Sequence, residues 1–187
     1  MVPADTLPTT FVQCCNSCTL ASYAIASYHF TRLNIYNFFL GYCKHFDIKA
    51  SSDQDAERKY DVHFQKEWKT RNCSGYKIIK ELHNNSSEQV FVQSRAMFGV
   101  EIIQDTTSCL HRIEDKLKIE EVLISITFVV NKQGVHSCCV GLDEQGFYMI
   151  ETRRGPHTIG ISRIKNIKAL GDLRDSLLII PNSTNQE

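Results

Sequence analysis

"PTTFVQCCNSCTLASYAIASYHF", residues 8–30, sets a glutamine and three cysteines directly ahead of a long apolar run of small and aromatic residues. Within it Leu20, Tyr23, Ala24, Ser27 and Tyr28 recur near helical spacing, and Asn16 and Ser17 are residue types that cap helix starts. The stretch predicts a buried helix beginning at Cys18. A thiol on the first turn of a helix meets backbone N–H groups that have no partner inside the helix, at the positive end of the dipole. Both favour thiolate over thiol. A cysteine there is also an ordinary small core residue, so the reading turns on what else the chain supplies.

Working outward, "RLNIYNFFLGYCKHF" (32–46) and "DQDAERKYDVHFQKEWKT" (53–70) read as two more helices, the second strongly charged, a solvated face, and broken by "NCSG" at 72–75. "GYKIIKELHN" (75–84) continues as a short helix. "EQVFVQ" (88–93) and "AMFGVEIIQ" (96–104) are β-rich, and "SCLHRIEDKLK" (108–118) is an amphipathic helix with Leu110, Ile113 and Leu117 on one side. From Val122 the pattern changes to five short β-prone runs, "VLISITFVV", "GVHSCCVGL", "FYMIET", "TIGIS" and "SLLIIP", punctuated by Gly, Asn, Asp and Pro. "RIKNIKALGDLRD" between the last two reads as a short helix. The expected fold is α+β in a single domain spanning 1–187, with a helical part over about 1–118 and an antiparallel sheet over about 119–181.

Composition narrows the functional classes. Twenty-one basic and twenty-one acidic residues cancel, which removes the charge excess expected of a general nucleic-acid or anionic-membrane binder. No run approaches the roughly 20 apolar residues of a membrane span, and "MVPADTLPTT" shows no secretory signal. The expected location is the cytoplasm, or a host cytosol reached as an exported effector. The eight cysteines include two adjacent doublets without a signal peptide, a pattern that favours reduced thiols over a disulfide scaffold. CxxC occurs once, at Cys15 and Cys18, with no second matching pair. No metal site or cofactor is expected, and Cys14 and Cys15 read as packing or rim residues.

A thiolate that attacks a carbonyl needs a base, and the resulting oxyanion needs donors, typically the nucleophile's own N–H and a side-chain amide. Gln13 is placed to be that amide. The histidine is best supplied by "GVHSCCVGLDEQGFYMIETRRG" (134–155), where a strand carrying His136 turns at "DEQG" into a second strand. A turn centred between Glu144 and Gln145 sets His136 opposite Arg153 and Cys138 opposite Glu151, making Glu151 the histidine's diagonal neighbour on the same face. Glu151 would then orient the imidazole; a register shift of one would present Ile150 or Thr152 instead. Asp143 is the weaker choice, as a turn residue. Arg153 and Arg154 read as surface arginines or as flanks of the cleft. The aromatic run 35–42 reads as helix core or cleft wall, and the remaining histidines as exposed or capping residues.

"NSCTLASYAI" resembles the "NSCGPASLAM" pattern of the C39-type peptidases of the papain-like superfamily. "GVHSCCVGLDEQGFYMIE" is similar to that family's "GHHVVVVGYDDDGYVYVND", with His136, Val140, Gly141, Asp143 and Gly146 in matching places. Thr19 and Leu20 stand where the family has Gly and Pro, and Gln13 lies five rather than six positions before the cysteine. The resemblance covers about 8–30 and 120–155. It implies a papain-like fold, with a nucleophile helix in an N-terminal helical lobe packed on a C-terminal antiparallel sheet, and a cysteine protease acting on a protein or peptide through Cys18, His136, Glu151 and Gln13. Similar lobes occur in bacterial effector proteases and glutamine deamidases, so a deamidase with the same Cys-His site is the alternative, as is a binding module that kept the fold.

Overall fold

The computed structural model describes residues 1–130, 134–152 and 160–183. Among them are six α-helices: α1 (Cys18–Thr31), α2 (Ile35–His45), α3 (Asp53–Arg71), α4 (Gly75–Asn85), α5 (Gln89–Met97) and α6 (Leu110–Ile119). The strands are β1 (Phe98–Ile103), β2 (Leu123–Val129), β3 (Val135–Asp143), β4 (Gly146–Glu151), β5 (Gly160–Arg163) and β6 (Asp172–Pro181). They form one antiparallel sheet in the order β1-β6-β2-β3-β4-β5. The molecule is therefore α+β, as its sequence predicts. No helix of the described residues is long and apolar enough to cross a membrane.

Helix α1 is the pivot. Every residue from Leu20 to Ser27 is buried, as expected of a helix apolar on all sides. Its alanines let it lie close against β3 and β2. Its buried hydroxyls are satisfied by side chains from neighbouring elements: Ser22 bonds Ser125, and Ser27 bonds Ser94. One large core, built from α1 to α5, takes in one face of the sheet through Leu123, Cys139, Ile150, Leu177 and Ile179. A second core lies under α6 on the other face, with Ile124, Cys138, Val140 and Leu178. Cys138 and Cys139 thus point to opposite cores, as strand alternation requires. The aromatic run of α2 belongs to the first core, where Phe38, Phe39 and Tyr42 are fully buried.

Several expectations need correction. "EQVFVQ" is helical: α5 places Val90, Phe91 and Ser94 on one buried face against the helical core, and that packing overrides the strand propensity of its valines and phenylalanine. β1, formed before residue 118, pairs with β6 and so extends the sheet into the helical half. The short helix expected over 163–175 reduces to a single 3-10 turn at Ile167–Leu170, after which the chain enters β6. His83, expected to be exposed, is buried between the Tyr23 hydroxyl (2.7 Å) and the Phe98 carbonyl (3.0 Å). Arg153, Arg154 and His157 lie outside the described residues.

The β3–β4 hairpin carries the predicted register. Asp143 faces Gly146 and Cys139 faces Ile150 across a turn at Glu144 and Gln145, where Gly146 takes a φ of 112° that side-chain-bearing residues rarely adopt. Asp143 accepts from the Ala4 and Gln145 N–H groups and from the Arg163 guanidinium. It anchors the turn to the first residues of the chain.

Candidate active site

Cys18 is the first residue of α1, and its Sγ lies 3.4 Å from the backbone N–H of Ser137 at the start of β3. The preceding residue, His136, is buried with its ring edge against Phe128, its cross-strand partner on β2. His136 Nε2 donates to Glu151 Oε1 at 2.8 Å. The ring also hydrogen-bonds Cys18. With Nε2 committed to the carboxylate, Nδ1 is the nitrogen left for the thiol. Glu151 Oε1 accepts a second hydrogen bond from the Thr152 N–H at 3.0 Å. The structure thus brings together three of the four predicted residues, Cys18, His136 and Glu151, in one line.

The electrostatics follow from that line. Burial pulls the His136 imidazole down, yet hydrogen bonds to Cys18 and Glu151, with their charges, carry it up to about 9. Burial pushes the Cys18 thiol up, but the His136 hydrogen bond and charge, the Ser137 N–H and the Thr19 hydroxyl outweigh it, and the net shift is downward. Both shifts run toward a thiolate beside an imidazolium.

Gln13, the fourth residue, lines the same cleft and is almost fully buried. Its backbone N–H donates to the Thr152 carbonyl (2.9 Å), its Oε1 accepts from the Thr152 hydroxyl (2.8 Å), and its Nε2 donates to the Cys15 carbonyl (3.0 Å). The Thr152 donor orients the amide so that its NH2 end faces the 13–18 loop, with one of its two protons left over among the described residues. The sequence offers Thr152 only as a register-shifted alternative to Glu151; in the structure it fixes Gln13 and Glu151 alike.

Sequence reading missed Glu57. The charge of α3 predicts a solvated face, but Glu57 is fully buried beneath the loop that leads to Cys18. Its Oε2 accepts from the Cys14 N–H (2.7 Å) and from the Ser17 hydroxyl (3.2 Å), so Ser17 occupies the N-cap position with its carbonyl bonded to the Ala21 N–H but its side chain turned away from the helix. The signal was present as the stripe Ala56, Glu57, Tyr60 and Phe64, a buried face in an otherwise polar helix. Tyr60, from the same stripe, receives the Leu20 N–H in the first turn of α1.

The cleft has a volume of about 710 Å³ and runs between the helical elements and the ends of β2, β3 and β6. Its walls include Trp68 and Phe64 of α3, Tyr76 of α4, and Arg174 and Asp175 of β6, with Asp175 bonded to Ser74. Cys138 and Cys139 are buried in the two cores, away from this cleft. None of the eight cysteines is bridged. Scanned against family models the chain matches none, and searches of curated proteins and of solved structures return no significant match.

Proposed function

We propose that the chain is a papain-like thiol hydrolase that cleaves peptide bonds through an acyl-enzyme on Cys18. The observation that carries this reading is the Cys18–His136–Glu151 line: a thiol at a helix start, shifted downward, against an imidazole raised to about 9 and oriented by a buried carboxylate. Structural cysteines show none of these features together.

In this reading the Cys18 thiolate attacks the substrate carbonyl, forming a C–S bond as the carbonyl electrons move to oxygen. The oxyanion is met by the Cys18 N–H, which has no partner within α1, and by the remaining Gln13 Nε2 proton. Imidazolium Nδ1–H then protonates the departing amine, and the C–N bond breaks. Neutral His136 takes a proton from water, which attacks the thioester and releases the acid product. Glu151 keeps the ring in the tautomer that presents Nδ1 to sulfur throughout.

Iodoacetamide at pH 6 tests the premise: Cys18 is expected to alkylate at least tenfold faster than Cys14 or Cys15, and sluggish labelling would instead mark a binding module. Cys18→Ala is expected to keep the fold and abolish turnover. Mass spectrometry of incubated proteins identifies the bond attacked, since peptidase action breaks the chain whereas a deamidase adds about 1 Da at glutamine, the change from amide to acid.

A further inference from the structure

Three side chains beside the nucleophile take no part in that chemistry. Cys14 and Cys15 precede Cys18 on the loop, and Glu57 rises beneath them from α3. Cys14 Sγ and Cys15 Sγ are 3.7 Å apart, Cys15 Sγ is 3.6 Å from Glu57 Oε2, and one ligand atom from each residue falls within 4.8 Å of the others. Tetrahedral zinc, with Zn–S near 2.3 Å and Zn–O near 2.0 Å, sets its sulfurs about 3.8 Å apart and its sulfur–oxygen edges about 3.5 Å. The Cys14–Cys15 and Cys15–Glu57 edges already have about those lengths.

Glu57 supplies an independent sign. The side chain is fully buried, and while Oε2 collects its donors, Oε1 has no hydrogen-bond partner among the described residues. A fully buried carboxylate with one oxygen lacking a donor is under-compensated, and a cation held with the sulfurs through Oε2 would offset its charge. Asp61, one turn further along α3, adds negative charge beside Cys15, where it accepts from the Asn16 N–H at 3.4 Å; Arg58 is the cation that acts on Cys14.

We propose that Cys14, Cys15 and Glu57 form a binding site for a thiophilic divalent cation of the zinc class, distinct from the Cys18 site. Two sulfurs and one carboxylate favour such a metal over calcium or magnesium, which take oxygen ligands. As the metal binds, both thiols release their protons to solvent, and two thiolates and the carboxylate share the dication. Cys18 stays out of the set, its sulfur engaged by Ser137 and His136. The cation ties residues 14 and 15 to α3, and so holds the short loop that connects Gln13 to Cys18.

Cobalt is the probe. The full reduced chain, stripped with EDTA and titrated with Co²⁺, is expected to develop a sulfur-to-metal charge-transfer absorption that saturates at one equivalent and is displaced by Zn²⁺. Cys18→Ala is expected to keep that absorption, and Cys14→Ser/Cys15→Ser to lose it. In the wild-type chain, one equivalent of Zn²⁺ is expected to slow alkylation of Cys14 and Cys15 at least tenfold while Cys18 continues to react, a readout that needs no variant to fold. No absorption in the wild type, an absorption that Cys18→Ala removes, one that the double serine variant retains, or zinc protection confined to Cys18 would each overturn the assignment.

Discussion

Glu151 takes two hydrogen bonds on one oxygen, from the His136 ring and from the Thr152 N–H, and that geometry makes its replacement informative. Glutamine at this position still offers an acceptor oxygen, whereas alanine frees the imidazole and leaves a hole. Turnover is therefore expected to fall in the order wild type, Glu151→Gln, Glu151→Ala, with the alanine variant down by about 10²-fold or more. Equal, near-wild-type rates for both would remove Glu151 from the mechanism. The pair's titration has a definite sign. Raising the pH through about 9 takes the proton from His136 and with it the acid that the leaving amine needs, so acylation is expected to decline above about 9. Lowering the pH protonates Cys18 only below its ordinary thiol range, so alkylation at Cys18 should stay fast through neutrality and fall in acid. His83 titrates with the opposite consequence. Burial pulls it down to about 4, so between 6.5 and 4 the unfolded chain binds a proton that the folded chain refuses. Its contribution to stability is full above 6.5 and is lost as the pH falls, by up to about 3 kcal/mol. Urea midpoints measured across that window should drop in the wild type, and His83→Gln should flatten the slope.

The β3–β4 hairpin shows how an element can be more legible than its surroundings. Its two-residue turn fixes the pairing, and the pairing alone sets Glu151 diagonal to His136, so two-thirds of the line could be drawn from "DEQG". Helix α1 was legible for a similar reason, since its apolar run leaves no polar face to misplace. α3 was not: its charge density masks the helical spacing of Ala56, Glu57, Tyr60 and Phe64, and nothing local in the sequence says that this stripe meets a loop 40 residues earlier. α5 failed because its strand-forming residues are overruled by a tertiary contact. The hairpin also has little room to spare. A Cβ at Gly141 would collide with the Tyr148 ring and hydroxyl and sit 2.9 Å from Leu123, both fully buried. Gly141→Ala should therefore cost about 1–3 kcal/mol through overpacking, read as a lowered Tm with turnover per folded molecule retained.

Across the whole molecule, the chain's first thirteen residues lie over the junction between helices and sheet. Val2 is fully buried, its N–H bonded to Leu142 and its carbonyl to the Tyr148 hydroxyl, while Leu7 and Phe11 join the helical core and Gln13 meets Thr152. Removing residues 1–7 strips three buried apolar side chains and should lower Tm by more than about 5 °C in thermal melts. Unchanged melting would show that this segment is not part of the cooperative unit. The contact between Cys18 and Ser137 bridges 119 positions, and that between Gln13 and Thr152 bridges 139. Loops of such length close slowly, and their entropy must be spent before the contacts repay it. A nascent chain emerging from a ribosome with α1 already formed would carry its thiol for more than a hundred further residues of synthesis without a base beside it. In the proposed hydrolase, reactivity then arises only after β3 and β4 have been made, a delay written into the topology that leaves half-made copies inert.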